Sequence, residues 1–230
     1  MQKAGMSRTP RKAGAKKRQP LSAQRIAEAA MALIDREGLD GFSFRVLARN
    51  LGCEAMSIYH YFPSKAHLYD ALVEMCLAEM EIPPTKLPWQ AQILEVARGM
   101  RRVALRHPGF LLYLIIHRLN NRAGLSFLDR VMRIFDSTGL PLEQRAKHFR
   151  AISHYIMGGA LDEAMGYAKG PSAVDPVPEE VARRDFPAIT SVGPYFAVKY
   201  HQEIFEAGLV TLIDKVAADA AKHWSRPVKS

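Results

Sequence analysis

Residues 51–65 leave this chain little freedom in its local fold. A helical stretch ends at Leu51-Gly52, where glycine takes the left-handed cap that other residues resist. Cys53 and Glu54 make a tight turn, and a new helical run begins near Glu54 and must stop before Pro63. Two short helices about such a turn form a helix-turn-helix, whose second helix fits the major groove of DNA. The flanking sequence supplies the rest of a small bundle. Leu21 and Ile26 flank Ser22 as a hydrophobic staple around an N-cap, and Ile26, Ala30, Leu33 and Ile34 recur at helical spacing as far as Gly38. After a turn at Gly41, Phe42, Ser43 and Leu47 repeat that arrangement for the helix that stops at Gly52. Ser64 caps a fourth helix running to about Glu81, with Leu68, Ala71, Leu72, Met75 and Leu77 as its stripe. Residues 21–81 thus read as one helical bundle.

Pro83-Pro84 and Pro88 mark a boundary, and beyond it the helical period continues with no convincing strand. Ile93, Val96, Ala97, Met100 and Val103 form one stripe, broken at His107-Pro108-Gly109. Residues 110–116 are apolar on all sides, which predicts a helix central to the body. Leu125, Leu128, Val131, Met132 and Phe135 follow, closed by Gly139. A long helix is expected from Pro141 to about Tyr167. Residues 168–194 hold Pro171, Pro176, Pro178, Pro187 and Pro194 and read as a long loop, with one helical turn near 179–184. The final helix, about 195–222, aligns Phe205, Leu209, Leu212, Ile213 and Val216. The fold class is all-α: a helix-turn-helix bundle followed by a larger helical domain over residues 82–230.

Charge is unevenly placed in these 230 residues, whose net value is +9. Residues 1–20 carry +7 with no acid, residues 21–81 carry −4, and the remainder carries +6. The first 20 residues therefore read as a basic flexible arm that attracts a polyanion by counterion release; a solvated leader is the plainer reading. Two cysteines, Cys53 and Cys76, make neither a disulfide framework nor a zinc site, and read as small buried groups in a reducing, cytoplasmic setting. No apolar core follows the basic start, so it is not a secretory signal. The longest apolar run is seven residues, against the ~20 a membrane helix needs.

In a helix-turn-helix the first residues of the second helix approach base edges. Here Ala55 and Met56 suit thymine methyls, and Ser57 suits a base or a phosphate. Tyr59, His60 and Tyr61 follow one turn later within reach of phosphates, while Ile58 and Phe62 face the core. Arg45, in the first turn of the preceding helix, can reach guanine with both nitrogens, and Lys65 suits a phosphate. Spacing alone also allows a structural bundle whose aromatic residues only pack. Chemistry of other kinds is not indicated. The histidines lack the i,i+4 pairing of a helical metal site, no His-Glu-x-x-His occurs, and no nucleophile elbow, P-loop or dinucleotide fingerprint is present. No catalytic residue, metal ligand or cofactor is assigned.

The run Gly38-Leu39-Asp40-Gly41-Phe42-Ser43-Phe44-Arg45-Val46-Leu47-Ala48, then Leu51-Gly52, Ile58-Tyr59-His60-Tyr61-Phe62, Lys65, Leu68 and Ala71-Leu72, resembles the N-terminal domain of the tetracycline-repressor (TetR) family. Ile58 stands where that pattern usually has leucine. The resemblance implies that Arg45, Ala55, Met56, Ser57, Tyr59, His60, Tyr61 and Lys65 lie at DNA-contact positions. Residues 135–139, 151–163 and 205–213 are similar to the C-terminal domain of the tetracycline repressors, which binds a small effector and dimerises. Glycine inside a helix costs ~1 kcal/mol relative to alanine, so Gly158-Gly159 point to a close helix approach. The long helix and the last helix are the expected dimer interface, with packing inside one chain as the alternative. The resemblance places Tyr113 where the tetracycline repressors have a metal-chelating histidine, with His117 one turn on, so it does not carry over a magnesium–tetracycline effector. Tyr113, Ile116, His117, Phe135, Phe149, His154 and Met157 are the expected lining of a pocket for an apolar or aromatic effector.

These expectations describe a homodimeric regulator, in the sense of a repressor, released from a palindromic duplex operator by a small molecule, with no membrane association. The alternatives are an all-α enzyme or hydrophobic-ligand carrier with a purely structural N-terminal bundle, and a DNA-binding protein with no effector.

Overall fold

The computed structural model describes residues 20–166 and 173–224. Most of the basic arm and Tyr167 lie outside the described residues. Among the described residues the chain forms eleven α-helices and two short 3-10 turns, with no strand.

The first four helices form where the capping signals place them. α1 (Ala23–Glu37) starts at Ser22, whose hydroxyl accepts from the Arg25 N–H at 3.2 Å. α2 (Phe44–Leu51) repeats the device with Ser43 and the Val46 N–H, also at 3.2 Å, and closes at Gly52 with φ 68°. α3 (Ala55–Tyr59) is the short second helix of the pair, and α4 (Lys65–Glu79) begins at the Ser64 cap. Ile26, Ile34, Leu47, Ile58, Leu68 and Leu72 meet in a core from which solvent is fully excluded. Val103, Phe110 and Leu114 from the body enter the same core, so the boundary near residue 82 is a change of element, not a gap in packing.

The body comprises α5 (Trp89–Arg106), α6 (Pro108–Ile116), α7 (Arg122–Asp136), α8 (Leu142–Met165) and α11 (His201–Trp224), with α9 (Glu179–Asp185) and α10 (Pro187–Val192) between the last two. α5 packs along α8, and α8 along α11, around Ile93, Phe135, Ile152, Phe205 and Leu209. Two bidentate pairs tie these helices: Arg98 to Glu206 at 2.8–3.0 Å and Arg101 to Glu163 at 2.6–2.7 Å.

α6 departs from its expected central place. Phe110, Leu111 and Leu114 are buried, but Leu112 is 57% and Ile116 72% exposed. One side of α6 packs on α1 and α8, and the uniformly apolar sequence hides that the other faces outward. At its start a Cβ on Gly109 would lie 2.8 Å from the Asp35 Cα and would overlap the Ile34 carbonyl oxygen. The neighbouring His107 ring bridges Asp35 of α1 (2.7 Å from Nδ1) and Glu79 of α4 (3.3 Å from Nε2). The first four helices and the body are therefore clasped here as well as through their shared core.

The expected loop also holds more structure than one turn. α9 and α10 are followed by 3-10 turns at Gly193–Phe196 and Val198–Tyr200. Pro187 and Pro194 sit in first turns, where a missing N–H breaks no bond, so proline starts these elements instead of preventing them. Neither α9 nor α10 buries a residue, and Phe186, Ile189, Tyr195 and Val198 stand exposed.

Candidate nucleic-acid interface and effector cavity

α3 is anchored from one side only. Ile58 is fully buried and Phe62, just after the helix, nearly so, which turns the opposite edge outward. On that edge Met56 is 65% and Tyr59 45% exposed, and His60 lies open beside them. Ala55 and Ser57 are half-buried. Arg45 projects exposed from the first turn of α2, and Arg49 and Glu54 are exposed as well. Two of the expected residues already hold partners in the fold. The Tyr61 hydroxyl donates to the Leu21 carbonyl at 2.8 Å, pinning the chain where it enters α1. Lys65 Nζ donates to the Phe42 carbonyl at 2.9 Å and lies 5.5 Å from the centre of the Phe42 ring. The Tyr59 ring meets Phe44 edge-on at 4.9 Å, which fixes its direction. Six of the eight residues are thus exposed, all but Ala55 and Ser57.

An apolar cavity of about 110 Å³ lies between α4, α5, α7 and α8. Of the seven residues expected to line it, Phe135, Phe149 and Met157 do so, and the other four do not. Tyr113 packs against Tyr69 at 5.0 Å and Phe110 at 5.1 Å, on the joint with the reading bundle. Burial first, and then the Asp70 carboxylate, push its phenol above the usual range. His117 stacks on Tyr113 and lies 3.3 Å from Asp70. Ile116 points to solvent from the end of α6, and His154 is on the outer side of α8. Three of these four lie on α6 or at its C-terminal cap, where the resemblance placed Tyr113 and His117, but α6 contributes only Leu114 to the wall. Much of the wall was missed: Leu77 of α4 and Met80 at its C-terminal cap, Ile93, Val96 and Met100 of α5, Phe127, Val131 and Ile134 of α7. Their periodicity is that of any buried stripe, so sequence carried no sign that they leave space. The lining has no histidine and no carboxylate, and its one polar side chain, Ser153, donates to the Phe149 carbonyl at 2.7 Å.

α8 and α11 meet through two of the helix glycines. A Cβ on Gly159 would touch Phe205 at 3.3 Å, and one on Gly208 would run into the Tyr155 ring. The Tyr155 hydroxyl donates to the Phe205 carbonyl at 3.0 Å. Gly158 has nothing within 4 Å. Close packing within one chain explains Gly159 and Gly208, and leaves Gly158 open.

Comparison with known proteins matches both parts of this arrangement. Residues 26–72 fit the family described as bacterial regulatory proteins, tetR family, and residues 83–219 fit the tetracyclin repressor-like C-terminal domain. The chain is 28% identical over 145 residues to the transcriptional repressor DrrR1 of Streptomyces coeruleorubidus, covering 62% of this chain and 54% of that protein. It is 26% identical over 202 residues to the class A tetracycline repressor from transposon 1721 of Escherichia coli, covering 84% and 88%. Among solved structures, apo ActR from Streptomyces coelicolor superposes with a TM-score of 0.65 at 28% identity, over 88% of this chain and 99% of that one. ActR in complex with actinorhodin gives 0.68 at 27% identity over the same shares.

Proposed function

Because this chain belongs to the tetracycline-repressor family of bacterial regulatory proteins, we propose that it is a homodimeric repressor whose hold on an operator is released by a small molecule. It is a DNA-binding transcriptional regulator, and the finer assignments rest on its geometry. Residues 1–20 act as a basic arm, 21–81 as the reading head, and 82–230 as the effector and dimerisation domain. Arg45, Ala55, Met56, Ser57, Tyr59, His60, Tyr61 and Lys65 form the duplex-facing surface. The observation that carries this reading is the one-sided anchoring of α3, with Ile58 buried and Met56 and Tyr59 turned out. Tyr61 and Lys65 contribute from fixed positions, since their hydrogen bonds hold them against the fold.

Two heads of a dimer would meet successive major-groove faces ~34–36 Å apart. The open Gly158 on α8, the exposed Ile204 and Val210 on α11, and the exposed Phe186, Ile189 and Val198 between these helices support a dimer built on α8 and α11. α4 couples the two functions, because it carries the reading head and also puts Leu77 and Met80 into the cavity wall. A ligand that displaces those side chains shifts α4 and alters the spacing of the heads. A near-complete switch requires ~10⁴-fold preference for one conformer, or ~5.5 kcal/mol. That ActR, similar in fold and 27% identical, has been solved in complex with actinorhodin supports a small-molecule effector. Catalysis and cofactors form no part of this reading. Among the described residues no helix is long and apolar enough to cross a membrane, and we place the protein in the cytoplasm with its DNA. A gel shift on the DNA upstream of its own gene, repeated with a compound library, tests the proposal. A sequence-specific shift lost on adding one compound is expected; no specific shift would refute the regulator, and a shift that no compound removes would refute the effector.

A further inference from the structure

We infer that the cavity and an open groove between α4 and α7 form one two-part site for a single-tailed amphiphile. This rests on the reading that the cavity takes the effector, and it names the class of molecule. By itself the cavity is too small and too dry for a drug-sized ligand. Its volume is about 110 Å³, against ~150 Å³ for a protein cavity that holds benzene and ~300–1,000 Å³ for ordinary ligand sites. Its one hydroxyl, on Ser153, already donates within α8. Such a space takes the end of a narrow apolar chain and offers nothing to a polar group.

Leu77, Met80 and Phe127 wall this cavity, and the same three side chains wall a groove of about 480 Å³. They are the partition between the two spaces. Methionine, unbranched and with three rotatable bonds, is the side chain best suited to swing out of such a partition. The groove has the chemistry the cavity lacks. Glu74 and Glu81 bring acceptors, Arg130 brings donors, and Ser126 can do either. Glu74 accepts from Asn121 Nδ2 at 3.2 Å. On α7 the adjacent Asp129 is taken by Arg133, 2.9 Å away, so it does not occupy the Arg130 guanidinium. A tail passing Met80 into the cavity leaves its head among these groups, with water close by. A wholly apolar molecule uses only the inner part, and a broad polycyclic one does not pass the partition. The bound molecule would lie against Glu74, Leu77 and Ala78 of α4, the helix that carries the reading head.

The test is calorimetric titration of the full-length protein with 1-octanol, which spans both parts, and n-pentane, a narrow chain confined to the cavity. Ala78→Trp and Ser126→Trp each fill the groove from an exposed position, and thermal melts establish that at least one folds. Octanol should bind roughly tenfold or more tighter than pentane, since its further carbons leave water only if the groove is used. The tryptophan variants should bring octanol down to the level of pentane and leave pentane unchanged. Pentane equal to octanol, a variant that weakens both alike or neither, or no binding of either molecule would overturn the two-part site. Operator release is followed in parallel. Octanol bound as expected with the operator still held would remove the effector role and leave the site standing.

Discussion

Arg45 and Tyr59 stand on either side of the Gly52 turn, one in the first turn of α2 and the other closing α3. Neither belongs to the buried core, so shortening either should spare the fold. Arg45→Ala and Tyr59→Ala are each expected to abolish specific operator binding and leave dimerisation intact, because the dimer loses the contact in both heads at ~1–3 kcal/mol each. Anisotropy titration beside size-exclusion chromatography checks both halves of that statement. Unchanged operator affinity in both variants would remove these contacts from the interface. Gly109→Ala tests the joint instead. Its Cβ would press on the backbone of Ile34 and Asp35, where no flexible side chain can yield. A loss of ~1–3 kcal/mol is expected, visible as a lower denaturant midpoint; a midpoint equal to wild type would mean that α1 and α6 part readily.

Among the helices, α8 and α11 offer the cleanest contrast, because Gly158 and Gly208 have different neighbours. Gly158→Arg meets open space in the single chain, so helical content should persist while the protein moves to the monomer position in size-exclusion chromatography. Gly208→Ala drives a methyl into Tyr155 and should lower thermal stability before it affects assembly. A Gly158→Arg protein that stays dimeric would put the dimer face elsewhere. The same elements show where sequence was informative. Ser22, Ser43 and Ser64 cap α1, α2 and α4 as their positions foretell, because a cap is a local interaction between a hydroxyl and an N–H three residues on. The outward edge of α3 was legible too, since Ile58 and Phe62 declare the buried side. α6 was not: nine residues with hardly a polar one carry no periodic signal, so the exposed Leu112 and Ile116 look like the buried Leu111 and Leu114. The cavity wall was hidden for a related reason. Whether Ile93, Val131 and Ile134 touch one another or face a void depends on how α5 and α7 cross, and a hydrophobic stripe does not encode that.

Taken as one object, the proposed molecule links the outward edge of α3 to a cavity through α4, and His107 bridges Asp35 and Glu79 between bundle and body. The basic arm lies mostly outside the described residues, and its proposed part is long-range attraction. Deleting residues 1–18 should flatten the salt dependence of binding and keep the preferred sequence, since each phosphate contact adds ~0.9 to the logarithmic slope. A changed sequence preference would make the arm a reader of bases. Everything depends on whether the exposed edge of α3 meets a duplex. Operator affinity of the full-length dimer, measured across a salt series for wild type and Tyr59→Ala, answers that most directly. Wild type should bind its own upstream DNA ~10³-fold or more tighter than scrambled DNA, and the variant should fall to the scrambled level at every salt concentration. Equal affinity of wild type for both DNAs would contradict a reading role for α3.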